Sequence, residues 1–246
     1  MLLRRNTVAA GTLLGTADRQ PFPDETGPMT TRRAFLGLLA GAPLAACQSF
    51  QKAELNPAVP GDNDYERWYI GTRPDDGYDM PLVDRSLMKP ELMPQEVAWT
   101  GHELPGTIVV DIDQRFLYLI GPGGTARRYG VGVGRRGFSW KGTARVGRKA
   151  HWPSWNPTKT MVNLGLAPSG GRKSGLDNPL GARALYLYQG NRDIMFRIHG
   201  TTEPWSIGEQ VSSGCIRMLN EDVVDLYERV PVGTLVVVRR TGKAHV

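Results

Sequence analysis

From Pro105 onward, short apolar runs alternate with turn-forming residues. Residues 107–113 (TIVVDID) and 115–120 (RFLYLI) are β-rich runs joined at Asp113-Gln114, and Gly121-Pro122-Gly123-Gly124 makes the next turn. Further runs of strand character cover 127–133, 142–149, 184–189, 194–199 and 234–240. Connections this short leave no room for the crossover helices of a parallel sheet, so the pattern predicts a mostly β fold, an antiparallel sandwich or barrel. One helix interrupts it near the C-terminus. Asn220 reads as its N-cap and Glu221 and Asp222 place negative charge in the first turn. Val223, Leu226, Tyr227 and Val230 share a face, and Pro231 and Gly233 stop it.

Upstream, residues 48–102 carry neither period. Pro57, Pro60, Pro74, Pro81, Pro90 and Pro94 recur among aspartates, which reads as an extended arm anchored by Tyr65, Trp68 and Tyr69 and not as a second globular unit. Still earlier, Arg32-Arg33 precede an apolar stretch from residue 35 to 46 that ends at Cys47. That stretch is too short to cross a bilayer about 30 Å thick, which takes roughly 20 apolar residues as a helix, and it has the proportions of a signal-peptide core. The order TRRAFL resembles twin-arginine export signals, and LAAC resembles a lipobox. The resemblance implies a signal at 29–46, translation beginning at Met29 with 1–28 as an extra extension, and lipid on Cys47 as the mature N-terminus. A lipid-anchored arm (47–104), a catalytic domain (105–240) and a short tail (241–246) would follow. Gln48 after the lipidated cysteine is what outer-membrane sorting favours, so the expected location is the periplasm, anchored to a membrane.

Composition narrows the chemistry. Of 246 residues 40% are apolar and 22% charged, enough for a globular core and too few charges for disorder; 30 glycines and 18 prolines agree with turn-dense β structure. The formal charge of +6 favours anionic surroundings without choosing among them, and removing the five basic and three acidic residues of 1–46 leaves +4. Basic residues are scattered and not interleaved with aromatics, which argues against nucleic acid. No histidine pair has metal-ligand spacing, and Gly130-x-Gly132-x-Gly134 sits in a strand with no helix after it, so neither a metal, a phosphate cradle nor any other cofactor is expected.

With Cys47 committed to lipid, Cys215 has no intramolecular partner in an oxidising compartment, which leaves a reactive thiol or a buried inert one. His199, at the end of a strand, could be its base, and the consecutive backbone N–H groups of Ser213, Gly214 and Cys215 are material for an oxyanion hole.

The stretch His199-Gly200-Thr201, then Ser212-Ser213-Gly214-Cys215-Ile216-Arg217-Met218, then Val232-Gly233-Thr234 resembles the signature of L,D-transpeptidases with a YkuD-type catalytic domain. The similarity covers about 105–240, including Val109-Val110-Asp111, Gly130 to Gly134 and Asn178-Pro179-Leu180-Gly181-Ala182. It implies a mostly β domain in which Cys215 is the nucleophile and His199 the general base, with peptidoglycan stem peptides as substrate. The thiolate would attack the bond between diaminopimelate and the terminal D-alanine. The acyl group would then pass to another stem peptide, to an envelope protein, or to water, and carbapenem-type inhibitors would acylate the same thiol. A hydrolase on the same scaffold and a non-catalytic wall-binding lipoprotein are the alternatives. Since Gly200 follows the histidine, an orienting partner there would be a backbone carbonyl. Ser213 stands where the family often has histidine, which puts in doubt any accessory role of that imidazole. Arg217 could bind a stem carboxylate or pair with Glu221 or Asp222. Trp152 and Trp155 could wall a peptide groove or pack against the sheet, and His151 is a further candidate contact.

Overall fold

The computed structural model describes residues 65–135, 139–165 and 167–242. The expected export signal, Cys47 and the first part of the arm lie outside them. The mostly β fold is observed, with thirteen strands and a short helix after Cys215 among the described residues. Nine of the strands form one sheet. One half is built from β4 (Ile108–Asp111), β5 (Phe116–Ile120) and β6 (Thr125–Gly130), and the central strand, β13 (Leu235–Arg239), pairs with β4 on the other side. Beyond β13 come β8 (Gly142–His151), β9 (Arg183–Gln189), β10 (Arg192–His199) and β12 (Ile216–Arg217). Alternate residues of strands at both ends meet in one cluster: Val110, Leu117 and Tyr129 from one half, Val146, Leu185, Ile198 and Ile216 from the other. The sheet therefore curls around its own core, as period-2 alternation with one buried face requires.

Pairing is not uniformly antiparallel. β13 runs parallel to β4, and β12 parallel to β10. The first parallel pair joins strands far apart in sequence, and the second follows a long loop from His199 to Cys215, so neither needs the short-range crossover that the spacing excludes.

The helix, α2 (Asn220–Arg229), follows a single-turn helix, α1 (Lys159–Asn163), and lies against β9 and β10. Val223, Leu226 and Val230 are buried in the core, with Tyr227 packed beside them. Leu219 occupies the N-cap position with no side-chain cap, in place of Asn220. The Asn220 amide is used elsewhere: its Oδ1 accepts the Ala182 N–H at 3.0 Å. At the other end, Lys149 of β8 donates to the carbonyls of Tyr227 and Val230 at 2.6 and 2.7 Å, supplying the donors that the last helical turn lacks.

The segment 65–104 pairs with the domain at several points. β3 (Gln95–Ala98) extends the sheet edge by pairing antiparallel with β6. β1 (Tyr69–Asp75) and β2 (Tyr78–Val83) form a separate hairpin. Its strands are proline-interrupted, so they carry no readable period, and the contacts that dock the hairpin come from residues remote in sequence. The Val83 N–H donates to Glu221 at 2.9 Å, Arg85 pairs with Asp222 at 2.6 Å, and Asp75 receives both terminal nitrogens of Arg183 at 2.7 and 2.8 Å. Trp152 Nε1 donates to the same carboxylate at 2.9 Å.

Two glycines set how closely the thiol-bearing loop can approach. The remaining short strands, β7 (Val133–Gly134) and β11 (Gln210–Ser212), pair in parallel beside it. A Cβ on Gly134 would fall 2.8 Å from the Cα of Gly214, and one on Gly132 would fall 2.6 Å from the Ser206 carbonyl. The alternating glycines read from the sequence thus let two backbones touch.

The Asp75–Arg183 pair generates a stability prediction. Arg183 is buried, and Asp75→Ala leaves its guanidinium unpaired, at an expected cost of about 3 kcal/mol in urea unfolding. Burial alone would raise the Asp75 carboxyl, but the hydrogen bonds and charge of Arg183 hold it below the usual value of 3.8. The pair's contribution is therefore present above that pH and is lost as pH falls through the lowered folded value. An Asp75→Ala variant with unchanged unfolding at pH 7 would contradict this.

Candidate active site

His199 ends β10, and Cys215 lies in the bend just ahead of β12. Ile198 sits opposite Ile216 and His199 opposite Arg217 in the parallel pair. Side chains alternate along each strand, so Ile198 and Ile216 enter the core. His199, Arg217 and Cys215 fall on the other face, where they line a cleft of about 610 Å³. The Met218 N–H donates to the His199 carbonyl at 2.8 Å and fixes the register.

His199 is buried, and its Nδ1 lies 2.5 Å from the carbonyl oxygen of Gly200. A carbonyl can only accept, so Nδ1 carries the hydrogen and Nε2 keeps its lone pair. Gly200 is itself held: its N–H donates to the Arg183 carbonyl at 3.0 Å, and a Cβ there would fall 2.2 Å from Asn220 Oδ1. Burial, then the charge of Arg217, push the His199 imidazole down to about 3. Burial also pushes the Cys215 thiol up, against the opposing pull of Arg197 and Arg217. Both shifts favour the neutral thiol and the neutral imidazole at pH 7. Each arginine is tempered by a carboxylate: Arg197 by Asp193 at 2.9 Å, and Arg217 by Glu203.

The three N–H groups expected to form an oxyanion hole divide. Gly214 N–H donates to Ser212 Oγ at 3.2 Å, and the same hydroxyl donates to the Cys215 carbonyl at 2.6 Å. Ser212 thereby closes the bend around the thiol and takes Gly214 out of the candidate hole. Ser213 and Cys215 N–H make no hydrogen bond among the described residues.

Other expectations are corrected. Trp152 does not wall the cleft: with φ +34° its ring turns inward, only 4% exposed, against Tyr78 at 4.6 Å between centroids. His151 pairs with Asp76 at 2.6 Å and is not in the lining. Arg217 is in the lining, but its carboxylate partner is Glu203 and not Glu221 or Asp222. Trp155 does line the cleft, its backbone exchanging two hydrogen bonds with Arg172 at 2.7 and 2.8 Å. Fully buried Asn178 organises this wall, donating to the carbonyls of Pro153 and Lys173 at 2.9 and 2.8 Å. Among the lining residues, Arg135, Arg148, Tyr186, Asp193, Met195 and Arg197 went unread in the sequence. Period-2 alternation back from Ala150 and His199 and forward from Ala184 singles out Arg148, Arg197 and Tyr186, but only once the register between strands is known.

The chain is 35% identical over 145 residues to the probable L,D-transpeptidase YbiS of Escherichia coli K12, covering 56% of this chain and 44% of the relative. It is 32% identical over 152 residues to the probable L,D-transpeptidase ErfK/SrfK of the same organism, covering 58% and 47%. The chain spans about half the length of these curated relatives. A solved structure from Brucella melitensis, described as a probable carnitine operon oxidoreductase, is 50% identical, covers 61% of this chain and 96% of its own, and superposes with a TM-score of 0.43. The family model for the YkuD L,D-transpeptidase catalytic domain matches residues 105–238, more than half of the chain and the whole of the cleft-bearing sheet apart from its β3 edge. This chain belongs to the YkuD L,D-transpeptidase catalytic domain family.

Proposed function

We propose that the protein is a peptidoglycan L,D-transpeptidase with Cys215 as nucleophile and His199 as general base. The observation that carries this reading is the hydrogen bond from His199 Nδ1–H to the Gly200 carbonyl, which leaves the Nε2 lone pair unprotonated in the same cleft as the free thiol. Because both groups rest neutral, the proton passes from Sγ to Nε2 as the thiol attacks, instead of being transferred beforehand. The Sγ–C bond forms at the diaminopimelate carbonyl, the carbonyl π electrons move onto oxygen, and the Ser213 and Cys215 N–H groups receive that charge. Collapse breaks the C–N bond, and the imidazolium returns its proton to the departing D-alanine amine. The thioester is then consumed by an amine, with His199 again taking the proton and the thiol released. A neighbouring stem peptide as acceptor gives a cross-link, an envelope protein gives a tether, and water gives a tripeptide. The export signal at 29–46 and lipid on Cys47 belong to the same proposal, since they would hold the domain at a membrane facing the wall.

Incubation of the mature protein with tetrapeptide muropeptides, followed by mass spectrometry, tests the reading. Dimers lacking one D-alanine are expected; tripeptides alone would point to the hydrolase, and no product to a binding module. Cys215→Ala removes turnover and any covalent carbapenem adduct, while His199→Ala slows acylation about 10²–10⁴-fold. Retention of the adduct in Cys215→Ala would exclude this thiol as nucleophile.

The resting protonation state makes a separate prediction. Alkylation of Cys215 by iodoacetamide, followed on its own peptide, should rise with pH to a midpoint above the ordinary thiol value of 9.0, because the folded site favours the neutral thiol. A reactive plateau below pH 7 would mean a preformed thiolate and imidazolium. For the anchor, the intact mass of the exported protein should correspond to a chain beginning at lipidated Cys47, and a mature form retaining earlier residues would remove that part of the proposal.

A further inference from the structure

The register that joins His199 to Cys215 also builds a row across the cleft. Arg148 of β8 lies opposite Tyr186 of β9, and Tyr186 opposite Arg197 of β10. Because Ile216 sits opposite Ile198, the residue before it, Cys215, continues the row beside Arg197. All four line the cleft. At about 4.8 Å per strand step, Arg148 stands roughly 14 Å from Cys215, the length of about four residues of extended peptide.

The two arginines share one ring but differ in partner. Their guanidinium carbons lie 3.5 Å (Arg148) and 4.5 Å (Arg197) from the centre of the Tyr186 ring. Arg197 spends its fork on Asp193, with bonds of 2.9 and 3.1 Å. Arg148 is exposed and makes no hydrogen bond or ion pair among the described residues. Contact with the face of a buried tyrosine holds the Arg148 guanidinium in the cleft lining without using an N–H, so its donors remain available to a ligand. The strand itself is shaped for this. β8 shifts register between Val146 and Arg148, and a Cβ on the intervening Gly147 would fall 2.3 Å from the Tyr188 ring. Such a bulge re-aims the side chain that follows it. A cation kept without a carboxylate, beside Arg135, Arg197 and Arg217 in one cleft, is a cost that an anionic ligand relieves.

We infer that Arg148 is a specificity-determining residue that binds a carboxylate of the stem peptide at the end of the cleft remote from the thiol. This rests on the proposed reading of the cleft as a stem-peptide site. The row from Cys215 to Arg148 is long enough to take the three stem residues on the acyl side of the attacked bond, and the guanidinium fork matches a carboxylate in shape. Diaminopimelate and its neighbouring residues offer more than one such carboxylate, and the test separates them.

Binding is measured by calorimetry on Cys215→Ala, which removes turnover, with a stem tetrapeptide and with forms amidated at one free carboxyl at a time. Adding Arg148→Gln is expected to weaken binding of the unmodified peptide about tenfold. It should have no effect on the one form whose critical carboxyl is already blocked. Arg148→Lys, which keeps charge but loses the fork, should fall between. Equal weakening for every peptide, or none for any, overturns the inference while leaving the stem-peptide reading standing. Failure of the Cys215→Ala parent to bind any stem peptide overturns both. Since Arg148 is exposed, thermal unfolding of the variants should match the parent's.

Discussion

Two residue pairs of parallel backbone, Ile198 with Ile216 and His199 with Arg217, determine where a thiol and an imidazole can meet in this molecule. The pairing is short, and almost everything around it serves to hold it. Gly132 and Gly134 let β7 and its flank press against the bend that carries Cys215. The backbones of Gly132 and Arg217 exchange hydrogen bonds at 2.8 and 2.9 Å from that side. On the far side, antiparallel β9 and β8 continue the sheet under the cleft, and α2 closes the core beneath. The hairpin that precedes the family domain joins this support through Asp75 and Arg183, whose own carbonyl accepts the Gly200 N–H.

The electrostatics of the site follow from that burial. Desolvation disfavours charge on both the thiol and the imidazole, and the neighbouring arginines favour a thiolate while disfavouring an imidazolium. The same cations therefore favour the deprotonated form of both groups, a charged thiolate but a neutral imidazole. The shifts favour a neutral thiol beside a neutral imidazole, and under the proposed function the field acts on the negative charge that acylation would develop. Asp193 and Glu203 temper that field at two of the arginines, which leaves Arg148 as the member of the row still able to take a partner of its own.

What could be read from the sequence was whatever is encoded locally. Residues 107–120 announce two strands and a turn because alternation and turn chemistry sit side by side, and the helix after Cys215 is marked by its acids, its apolar face and its proline. The candidate thiol and base stood out through residue type and motif. Residues whose roles depend on a distant partner were not legible. Asn220 looks like a cap by its neighbours, yet Ala182 claims its amide. Trp152 looks like a groove aromatic, yet Tyr78 and Asp75 draw it inside. The four-residue strand β3 lies below the length at which a period shows, and its role as an edge comes from β6. Arg148 is one cation among many until the pairing of three strands puts it in line with Cys215.

The partner that orients His199 is a main-chain oxygen. In a triad whose third member is a side chain, one codon change deletes that member and leaves the rest standing. Here no substitution removes the group, because every amino acid carries the same carbonyl. It can only be displaced, through the contacts that hold Gly200 against Asn220, Ala182 and Arg183. A change that reorients the His199 ring through this contact must therefore act through packing, at glycine and asparagine positions that carry no chemistry of their own.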